Sequence, residues 1–318
     1  MGLLSNRNTS GARTLRALLS TSDLIQAPGA YDCLSARLIE AAGFPAVYMT
    51  GFGTSAAFLG KPDVGLLGMS EMVDNARRIV DAVRVPVIAD ADTGYGNAIN
   101  VIRTVQAYER AGVAAIHIED QIAPKKCGHL EGKQLIPAAE MVQKVRAALD
   151  ARDSPDFSII ARTDARAVEG LDRALERAHF YRDAGADILF VEAPESESEV
   201  ETIAQSLRDT PLLFNWAEGG KTPPVSLERL RELGFRIVIF PISTLLVAAQ
   251  AMSRALNAIK QHGTPMTVMA QMTPFKEFVE SMGFAEIREV EKRFDSQPHR
   301  KPTLPSSARA PANPPDIA

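Results

Sequence analysis

Residues 157–193 read FSIIARTDARAVEGLDRALERAHFYRDAGADILFVEA and contain the repeating unit of the fold. An apolar run at 157–164 precedes a helical stretch, GLDRALERAHFYRDAG at 170–185, and a second apolar run follows at 187–193. Neither run alternates strictly between apolar and polar residues, which is typical of strands buried on both faces of a parallel sheet. The stretch therefore predicts two parallel strands joined by a covering helix.

The same unit recurs along the chain. We find eight apolar runs separated by helical patterns, at 24–29, 46–51, 85–90, 114–120, 157–164, 187–193, 211–216 and 236–241. Eight such units in roughly 250 residues predict an α/β fold, a closed (β/α)₈ TIM barrel with a C-terminal helical extension. A doubly wound sheet is the alternative. It is disfavoured because no GxGxxG follows the first strand and because polar residues end nearly every strand rather than one switch point.

Length and composition predict one large domain. The 318 residues are 46% hydrophobic and 23% charged, enough for a single barrel domain over 1–295 that includes the C-terminal helices. Residues 296–318 are rich in Pro, Ala and Ser and have hardly any large apolar side chains. Such a segment cannot bury enough surface to become ordered, so we expect a disordered tail.

Charge and cysteine content exclude several classes of function. A net charge of −4 carries no basic excess, so we expect no nucleic-acid partner. The most apolar run, 235–252, is interrupted by polar residues, so we expect a buried strand and a helix there and no membrane span. Two cysteines, Cys33 and Cys127, form no disulfide framework, and we expect a reducing, cytoplasmic setting, with Cys33 buried in a helix.

Polar side chains collect where the predicted strands end. In a barrel of this kind the active site is built at the C-terminal ends of the strands. The residues found there are Tyr48, Thr50, Gly51, Asp90, Asp92, Glu119, Asp120, Arg162, Asp164, Glu192 and Asn215.

Two of these carboxylates lie in DADTGYG at 90–96, where alternation along an extended segment would point Asp90 and Asp92 the same way. Glu119 ends the next strand, about 5 Å away in a parallel sheet. Carboxylates without His or Cys partners suit Mg²⁺, or Mn²⁺, rather than Zn²⁺. The alternative is that these acids cap helices or solvate loops.

The loop after the fourth strand contains KKCGH at 125–129. Lys125, Lys126 and His129 are close in sequence to Cys127, and nearby cationic groups favour a thiolate. Cys127 is therefore a candidate nucleophile or general acid/base. The alternative is a small buried side chain in a loop whose lysines are solvated.

Taken together, DADTGYG, KKCGH and the segment 161–194 resemble the isocitrate lyase and phosphoenolpyruvate mutase superfamily. The resemblance implies a (β/α)₈ barrel that forms homotetramers, as dimers of dimers that exchange a C-terminal helix. It also implies Mg²⁺ binding and chemistry next to the carboxylate of a 2-oxo acid. By motif position, the resemblance implies that Mg²⁺ is held by Asp92, Asp90, Asp63 and Glu119, and that the oxo-acid carboxylate is bound by Thr50, Gly51 and Phe52. It further implies that the substrate pocket is lined by Arg162, Glu192 and Asn215, and that Gly128 and His129 belong to a mobile gating loop around Cys127.

With a cysteine in this loop, the sequence resembles the carbon–carbon lyase branch of the superfamily. Phosphonomutases of the superfamily carry asparagine in the same loop. The implied reaction cleaves a 2-hydroxy dicarboxylate, similar to 2,3-dimethylmalate or methylisocitrate, into pyruvate or glyoxylate and a second carboxylate. Cys127 would be the general acid, and Tyr48 the base, with Glu192 or a metal-bound water as alternatives. Oxaloacetate acetylhydrolase, oxaloacetate decarboxylase and a non-catalytic binding protein are the competing functions.

The implied substrate is small. Methylisocitrate lyases hold their tricarboxylate with two arginines, and alignment places Leu246 at one of these positions and Pro274 and Phe275 near the other. A third carboxylate left unpaired in a closed site costs several kcal/mol. A dicarboxylate is therefore favoured.

Overall fold

The computed structural model describes residues 11–21 and 23–294. Each of the eight predicted runs coincides with a strand, although the first strand extends one residue beyond its run. The strands are β1 Ile25–Ala30, β2 Val47–Met49, β3 Val87–Asp90, β4 Ala115–Glu119, β5 Ser158–Thr163, β6 Ile188–Val191, β7 Leu213–Asn215 and β8 Ile237–Phe240.

The strands form one parallel sheet in the order β6-β5-β4-β3-β2-β1-β8-β7. Every neighbouring pair is parallel, including β1 with β8. A parallel bridge between Leu189 and Leu212 joins the two ends of this order, β6 and β7. The ring is the (β/α)₈ barrel that the sequence predicted, and a doubly wound sheet is excluded because that sheet has two open edges.

Helices precede, connect and follow the strands along the chain. They are α1 Gly11–Ser20, α2 Cys33–Ala41, α3 Gly51–Leu59, α4 Met69–Ala82, α5 Ala98–Arg110, α6 Ala138–Ala151, α7 Arg166–Glu169, α8 Leu171–Asp183, α9 Glu197–Ser206, α10 Leu227–Glu232, α11 Ser243–His262, α12 Phe275–Ser281 and α13 Phe284–Phe294, with a 3-10 turn at Met266–Gln271. Several helices begin at a residue whose side chain caps them. Asp32 caps α2, because its carboxylate accepts a hydrogen bond from the Ser35 N–H at 2.7 Å.

The barrel interior is apolar at one end and polar at the other. Side chains of β1 to β8 that point inwards form an apolar cluster that includes Ile25, Ala27, Tyr48, Ile88, Ala115, Ile160, Ile188, Phe190, Leu213, Ile237 and Ile239. Because successive strand side chains alternate between faces, the inward positions of β4 after Ala115 are His117 and Glu119. The polar end of the interior is therefore the C-terminal end of the strands.

Helix α1 contributes to the apolar end of the interior. Leu15 is fully buried in the interior cluster, and Arg16 Nη2 lies 2.6 Å from Asp187 Oδ1. Asp187 also accepts a hydrogen bond from Arg152 Nη1 at 2.7 Å, so one carboxylate connects α1 to the chain that precedes β5. The run at 235–252 forms β8 and the start of α11, as predicted.

The described residues fall into two compact units. One extends to Met266 and contains the barrel with α11, and the second begins at Thr267 and contains α12 and α13. The single domain over 1–295 stays a prediction, and the predicted tail at 296–318 lies outside the described residues. Within 11–21 and 23–294, no helix is long and apolar enough to cross a membrane.

Truncating Leu15 to alanine tests the contribution of α1 to the barrel. Because Leu15 is fully buried in the interior cluster, we expect Leu15→Ala to lower the free energy of unfolding by about 2–5 kcal/mol in urea titrations. Ile99→Ala on α5, where the side chain is 72% exposed, is the control and should change it by less than about 0.5 kcal/mol. Equal effects of the two changes would contradict the packing role of α1.

Candidate active site

A cavity of about 170 Å³ lies at the C-terminal ends of the strands. Of the fourteen residues predicted for the site, all but Gly51, Asp92 and Glu119 line it. The predicted residues that do so are Tyr48, Thr50, Phe52, Asp63, Asp90, Cys127, Gly128, His129, Arg162, Glu192 and Asn215. The structure therefore brings together side chains from β2 to β7 and from the KKCGH loop.

The chain turns from β2 directly into α3 at the edge of this cavity. Thr50 caps α3, because its hydroxyl accepts a hydrogen bond from the Gly53 N–H at 3.2 Å. A Cβ atom on Gly51 would lie 2.4 Å from Asp90 Oδ2, closer than real Cβ contacts. Glycine at this position therefore allows the start of α3 and the Asp90 carboxylate to approach each other.

The extended backbone predicted for Asp90 and Asp92 is wrong at Asp92. Strand β3 ends at Asp90, and Asp92 has a left-handed backbone with φ 47°, which aspartate tolerates better than most residues. The Asp92 N–H donates a hydrogen bond to Asp90 Oδ1 at 2.9 Å. The two carboxylates remain neighbours through this turn rather than through strand alternation.

Lys125 is paired with carboxylates and not with the thiol. Its Nζ lies 2.7 Å from Asp63 Oδ2 and 2.9 Å from Asp92 Oδ1, and Lys126 Nζ donates to the Gly132 carbonyl at 2.9 Å. Burial raises the pKa of Cys127 to about 11, opposite to the lowering that its cationic neighbours predicted. A thiol in this position keeps its proton at neutral pH.

The KKCGH loop is held against the barrel by its backbone. The Cys127 N–H donates to the Asp63 carbonyl at 3.2 Å. The Gln121 amide binds both backbone groups of Lys126, accepting from its N–H at 3.0 Å and donating to its carbonyl at 2.8 Å. These contacts fix the direction of the Cys127 side chain relative to the cavity.

Arg162 is the central cation of the cavity. It donates two hydrogen bonds to Asp164, from Nε at 3.0 Å and from Nη2 at 3.2 Å, and its Nε is 3.8 Å from Glu192 Oε2. Burial alone would raise the pKa of Glu192, but the Arg162 charge and the hydrogen bond from His129 hold it well below its usual range. Glu192 is therefore ionised, and Asn215 Nδ2 donates to it at 3.1 Å.

His129 links the KKCGH loop to the loop after β7. Its Nδ1 accepts from the Lys221 N–H at 3.2 Å, so its proton lies on Nε2, which is 3.1 Å from Glu192 Oε1. A Cβ atom on Gly128 would lie 2.5 Å from Arg162 Nη2, so this glycine allows the loop to reach the pocket.

Sequence reasoning missed two residues of the site. One is His117, which is fully buried on β4 and whose Nε2 lies 2.8 Å from Tyr48 Oη and 3.5 Å from Asp90 Oδ1. Burial lowers the pKa of His117 to about 4, so its ring is neutral. The sequence pattern that could have identified His117 is the strand alternation in HIE, which places its side chain on the same face of β4 as Glu119. The other is Lys133, whose ammonium group binds the Gly128 carbonyl and lies 3.1 Å from Asp164 Oδ1. Because Lys133 follows a long loop, no sequence pattern identifies it as a residue of the site.

The buried charges of the described residues leave room for a cation. Among the described residues, seven acidic side chains and five lysines or arginines are buried, and burial raises the pKa of Asp92 to about 6 and that of Glu119 well above its usual range. Neither oxygen of Glu119 has a hydrogen-bond partner in the described part of the chain, and Arg162 Nε is 3.4 Å from its Oε2. These oxygen donors fit a hydrated divalent cation. Among the described residues, however, no three His, Cys, Asp or Glu side chains are arranged to hold a metal ion.

The side of the cavity after β8 is apolar. The described residues that line it there are Ile239, Pro241 and Ile242. Leu246, one helical turn into α11, does not line the cavity and is 46% exposed.

Cys33, by contrast, has no place in the cavity. It begins α2 as predicted, but it is only partly buried, and its thiol donates to the Arg78 carbonyl at 3.4 Å. Both cysteines are free.

The barrel and its acidic, arginine-containing cavity define the class of the protein as a (β/α)₈ enzyme. The chain belongs to the phosphoenolpyruvate phosphomutase family, whose model matches residues 15–260, within the isocitrate lyase and phosphoenolpyruvate mutase superfamily. Named relatives are lyases, and the chain is an enzyme of this kind, as the sequence predicted.

Two curated relatives align over most of the chain. The 2,3-dimethylmalate lyase of Eubacterium barkeri is 51% identical over 283 residues, 89% of this chain and 98% of the relative. The 2-methylisocitrate lyase of Aeropyrum pernix is 46% identical over 287 residues, covering 90% of this chain and 91% of the relative.

Solved structures agree with this placement. Oxaloacetate acetylhydrolase with the inhibitor 3,3-difluorooxalacetate superposes with a TM-score of 0.86 at 41% identity, covering 91% of this chain and 98% of the other. Phosphonopyruvate hydrolase in complex with oxalate and Mg²⁺ has a TM-score of 0.82 at 33% identity, with 89% and 99% covered. A divalent metal cofactor is therefore consistent with the family.

Substituting Gly51 tests whether the carboxylate cluster binds a cation. Because a Cβ atom at this position would displace the Asp90 carboxylate, we expect Gly51→Ala to weaken Mn²⁺ binding at least about tenfold by calorimetry, as loss of a ligand's supporting geometry does. Gly68→Ala, where a Cβ atom would be 3.6 Å from Glu71 Oε2, is the control and should bind as the wild type does. Unchanged affinity in Gly51→Ala would argue against Asp90 as part of the cation site.

Proposed function

We propose that the protein is a Mg²⁺-dependent carbon–carbon lyase that cleaves a small 2-hydroxy dicarboxylate, similar to 2,3-dimethylmalate, into a 2-oxo acid and a second carboxylate. The observation that carries the proposal is that Cys127 lines the same cavity as Asp63, Asp90 and Arg162. A proton donor, a cation-binding edge and an anion-binding group then surround one small substrate.

The substrate carboxylates have two positively polarised places to bind. One is the start of α3 at Thr50, Gly51 and Phe52, where backbone N–H groups of the first turn have no helical partner. The other is Arg162, with Asn215 and the Gly128 and His129 backbone beside it. The apolar wall after β8 suits an alkyl substituent better than a third carboxylate, which supports the smaller substrate.

Asp92, with Asp90, Asp63 and Glu119, would hold the divalent cation, directly or through water. When bound, the cation supplies Lewis-acid stabilisation of negative charge on the oxo-acid oxygen. Lys125 already neutralises Asp63 and Asp92 in the described structure, so its ammonium group would share these carboxylates with the cation or withdraw from them.

Two proton transfers complete the reaction. Burial raises the pKa of Tyr48 well above its usual range, so Tyr48 acts as a base only after its own proton has passed to solvent. The phenolate then removes the proton of the 2-hydroxyl group, the bond between C2 and C3 breaks, and the electron pair of that bond remains on C3. The Cys127 thiol donates its proton to C3, which gives the saturated carboxylate. The buried, protonated thiol supports this role, and Glu192 is the alternative base because it is already ionised.

Oxaloacetate hydrolysis to oxalate and acetate is the second candidate. The similarity to oxaloacetate acetylhydrolase, at a TM-score of 0.86, specifically favours it. Its substrate is also a small 2-oxo dicarboxylate, so the same cavity would accept it.

We further propose that the protein forms a homotetramer of helix-exchanged dimers. The barrel unit has an apolar groove of about 470 Å³ between α2 and α11, in which Leu34, Leu38 and Val247 are exposed to solvent. Such an exposed apolar surface supports self-association. In the second unit, α12 and α13 also expose large apolar side chains, such as Phe275.

A substrate panel separates the two catalytic candidates. We expect turnover of 2,3-dialkylmalates in the presence of Mg²⁺, exceeding that of 2-methylisocitrate and isocitrate because Arg162 is the one buried arginine that lines the cavity among the described residues. The measurement follows 2-oxo acid, oxalate and CO₂ separately. Oxalate from oxaloacetate without cleavage of any alkylmalate would replace the lyase by the hydrolase.

Replacing the thiol tests the general acid. Cys127→Ser should lower kcat by about 10²–10⁴, the usual contribution of acid catalysis, while Mn²⁺ affinity measured by calorimetry stays unchanged. Cys33→Ser is the matched control and should retain wild-type turnover, since Cys33 lies on α2 outside the cavity. Retained turnover in Cys127→Ser would refute the role of the thiol.

A further inference from the structure

His117 is a polar side chain in the interior of the barrel that the reaction described above does not use. It has no exposed surface, its ring stacks on Tyr48 and its edge meets the ring of Phe190, with both pairs of ring centroids 5.8 Å apart. Its Nε2 contacts Tyr48 Oη at 2.8 Å and faces Asp90 Oδ1 at 3.5 Å. Its Nδ1 has no hydrogen-bond partner in the described part of the chain.

These contacts decide which ring nitrogen carries the proton. With the proton on Nδ1, a buried N–H donor would be unpaired, and the Nε2 lone pair would face the Asp90 oxygen. With the proton on Nε2, an N–H group is directed at Tyr48 Oη and at Asp90, and only an acceptor is left unpaired. Buried N–H groups without partners are the rarer of the two cases. The Nε2–H form is therefore favoured.

The direction of this hydrogen bond determines where the Tyr48 hydroxyl points. A phenol oxygen has two lone pairs, and the Nε2–H group of His117 is directed at one of them. Among the described residues, His117 is the hydrogen-bond partner of Tyr48 Oη, and Tyr48 lines the substrate cavity. The hydroxyl hydrogen is left for the other side.

We propose that His117 is a positioning residue for Tyr48: its imidazole donates Nε2–H to Tyr48 Oη and so leaves the other side of that oxygen to exchange a proton with the substrate in the cavity that Tyr48 lines. The hydrogen bond itself is independent of the reaction, whereas its effect on catalysis, the functional part of the proposal, rests on the proposed role of Tyr48 as the base. The same N–H stabilises the Tyr48 oxygen in its deprotonated form, in which it accepts the proton of the substrate 2-hydroxyl group.

Nitrogen-15 NMR of the whole protein, labelled at its five histidines, tests the hydrogen bond without any turnover. We expect the His117 resonances, assigned by their loss in His117→Gln, to show a protonated, pyrrole-type Nε2 and a pyridine-type Nδ1 at neutral pH. A pyrrole-type Nδ1, or two protonated nitrogens, would overturn the proposal. This result is independent of the substrate and of the proposed reaction.

Kinetics test whether His117 acts through Tyr48. We expect His117→Leu to lower kcat by about 10- to 100-fold, a part of the usual contribution of acid–base catalysis, with KM nearly unchanged, and His117→Gln to recover part of the loss through its amide N–H. In a Tyr48→Phe background, His117→Leu should cause no further loss. His179→Leu on α8, where the imidazole contacts Ser206 Oγ at 3.1 Å outside the cavity, is the control and should have wild-type kinetics.

Equal losses from His117→Leu in the wild-type and Tyr48→Phe backgrounds would show that His117 does not act through Tyr48. Full turnover of Tyr48→Phe would refute Tyr48 as the base, and with it the functional part of the proposal. The NMR result would still decide the hydrogen bond, so the two failures are distinguishable.

Discussion

The burial of many acidic side chains at one end of a closed barrel is the constraint on which the site depends. An isolated buried carboxylate is costly, and it is retained only when opposite charge and hydrogen bonds compensate it. Arg162 on β5 lies close to an acid of β4 and to acids directly after β5 and β6, and Lys125 joins the loop after α3 to the turn after β3. The pairs that neutralise charge therefore also hold the loops of different strands around one cavity.

Barrel geometry explains why these charges meet where they do. All eight strands are parallel, so their C-terminal ends lie on one side, and alternation sends every second side chain inwards. On β4 the inward series runs from Ala115 through His117 to Glu119, which follows the change from the apolar to the polar end of the interior. A single change of register would send Glu119 outwards, into the layer between strands and helices.

Much of the fold could be predicted from the sequence because its signal is local and repeated. The eight apolar runs each coincide with one strand, and the polar residues at their ends include most of the cavity lining. The site was less accessible to such reasoning. The sequence predicts Lys125 as a neighbour of the thiol, whereas the folded loop directs its ammonium group at Asp63 and Asp92, which are 62 and 33 positions away in the chain. Asp92 was assigned an extended backbone because a turn of one aspartate has no distinct sequence pattern.

The sequence by itself determined the barrel, the residue types of the site and the strand ends from which they come, because hydrophobic periodicity and strand order act over short stretches of chain. The tertiary structure alone decided the electrostatic state of those residues. Cys127 keeps its proton because the folded loop buries it, and Glu192 stays ionised because Arg162 and His129 approach it from other parts of the chain. Likewise, the hydrogen-bond partner of Tyr48 is His117, 69 residues away, because β2 and β4, on either side of β3, bring the two inward side chains together in the barrel interior. Proton affinity depends on distance in space and on burial, and neither quantity is a property of a local stretch of sequence.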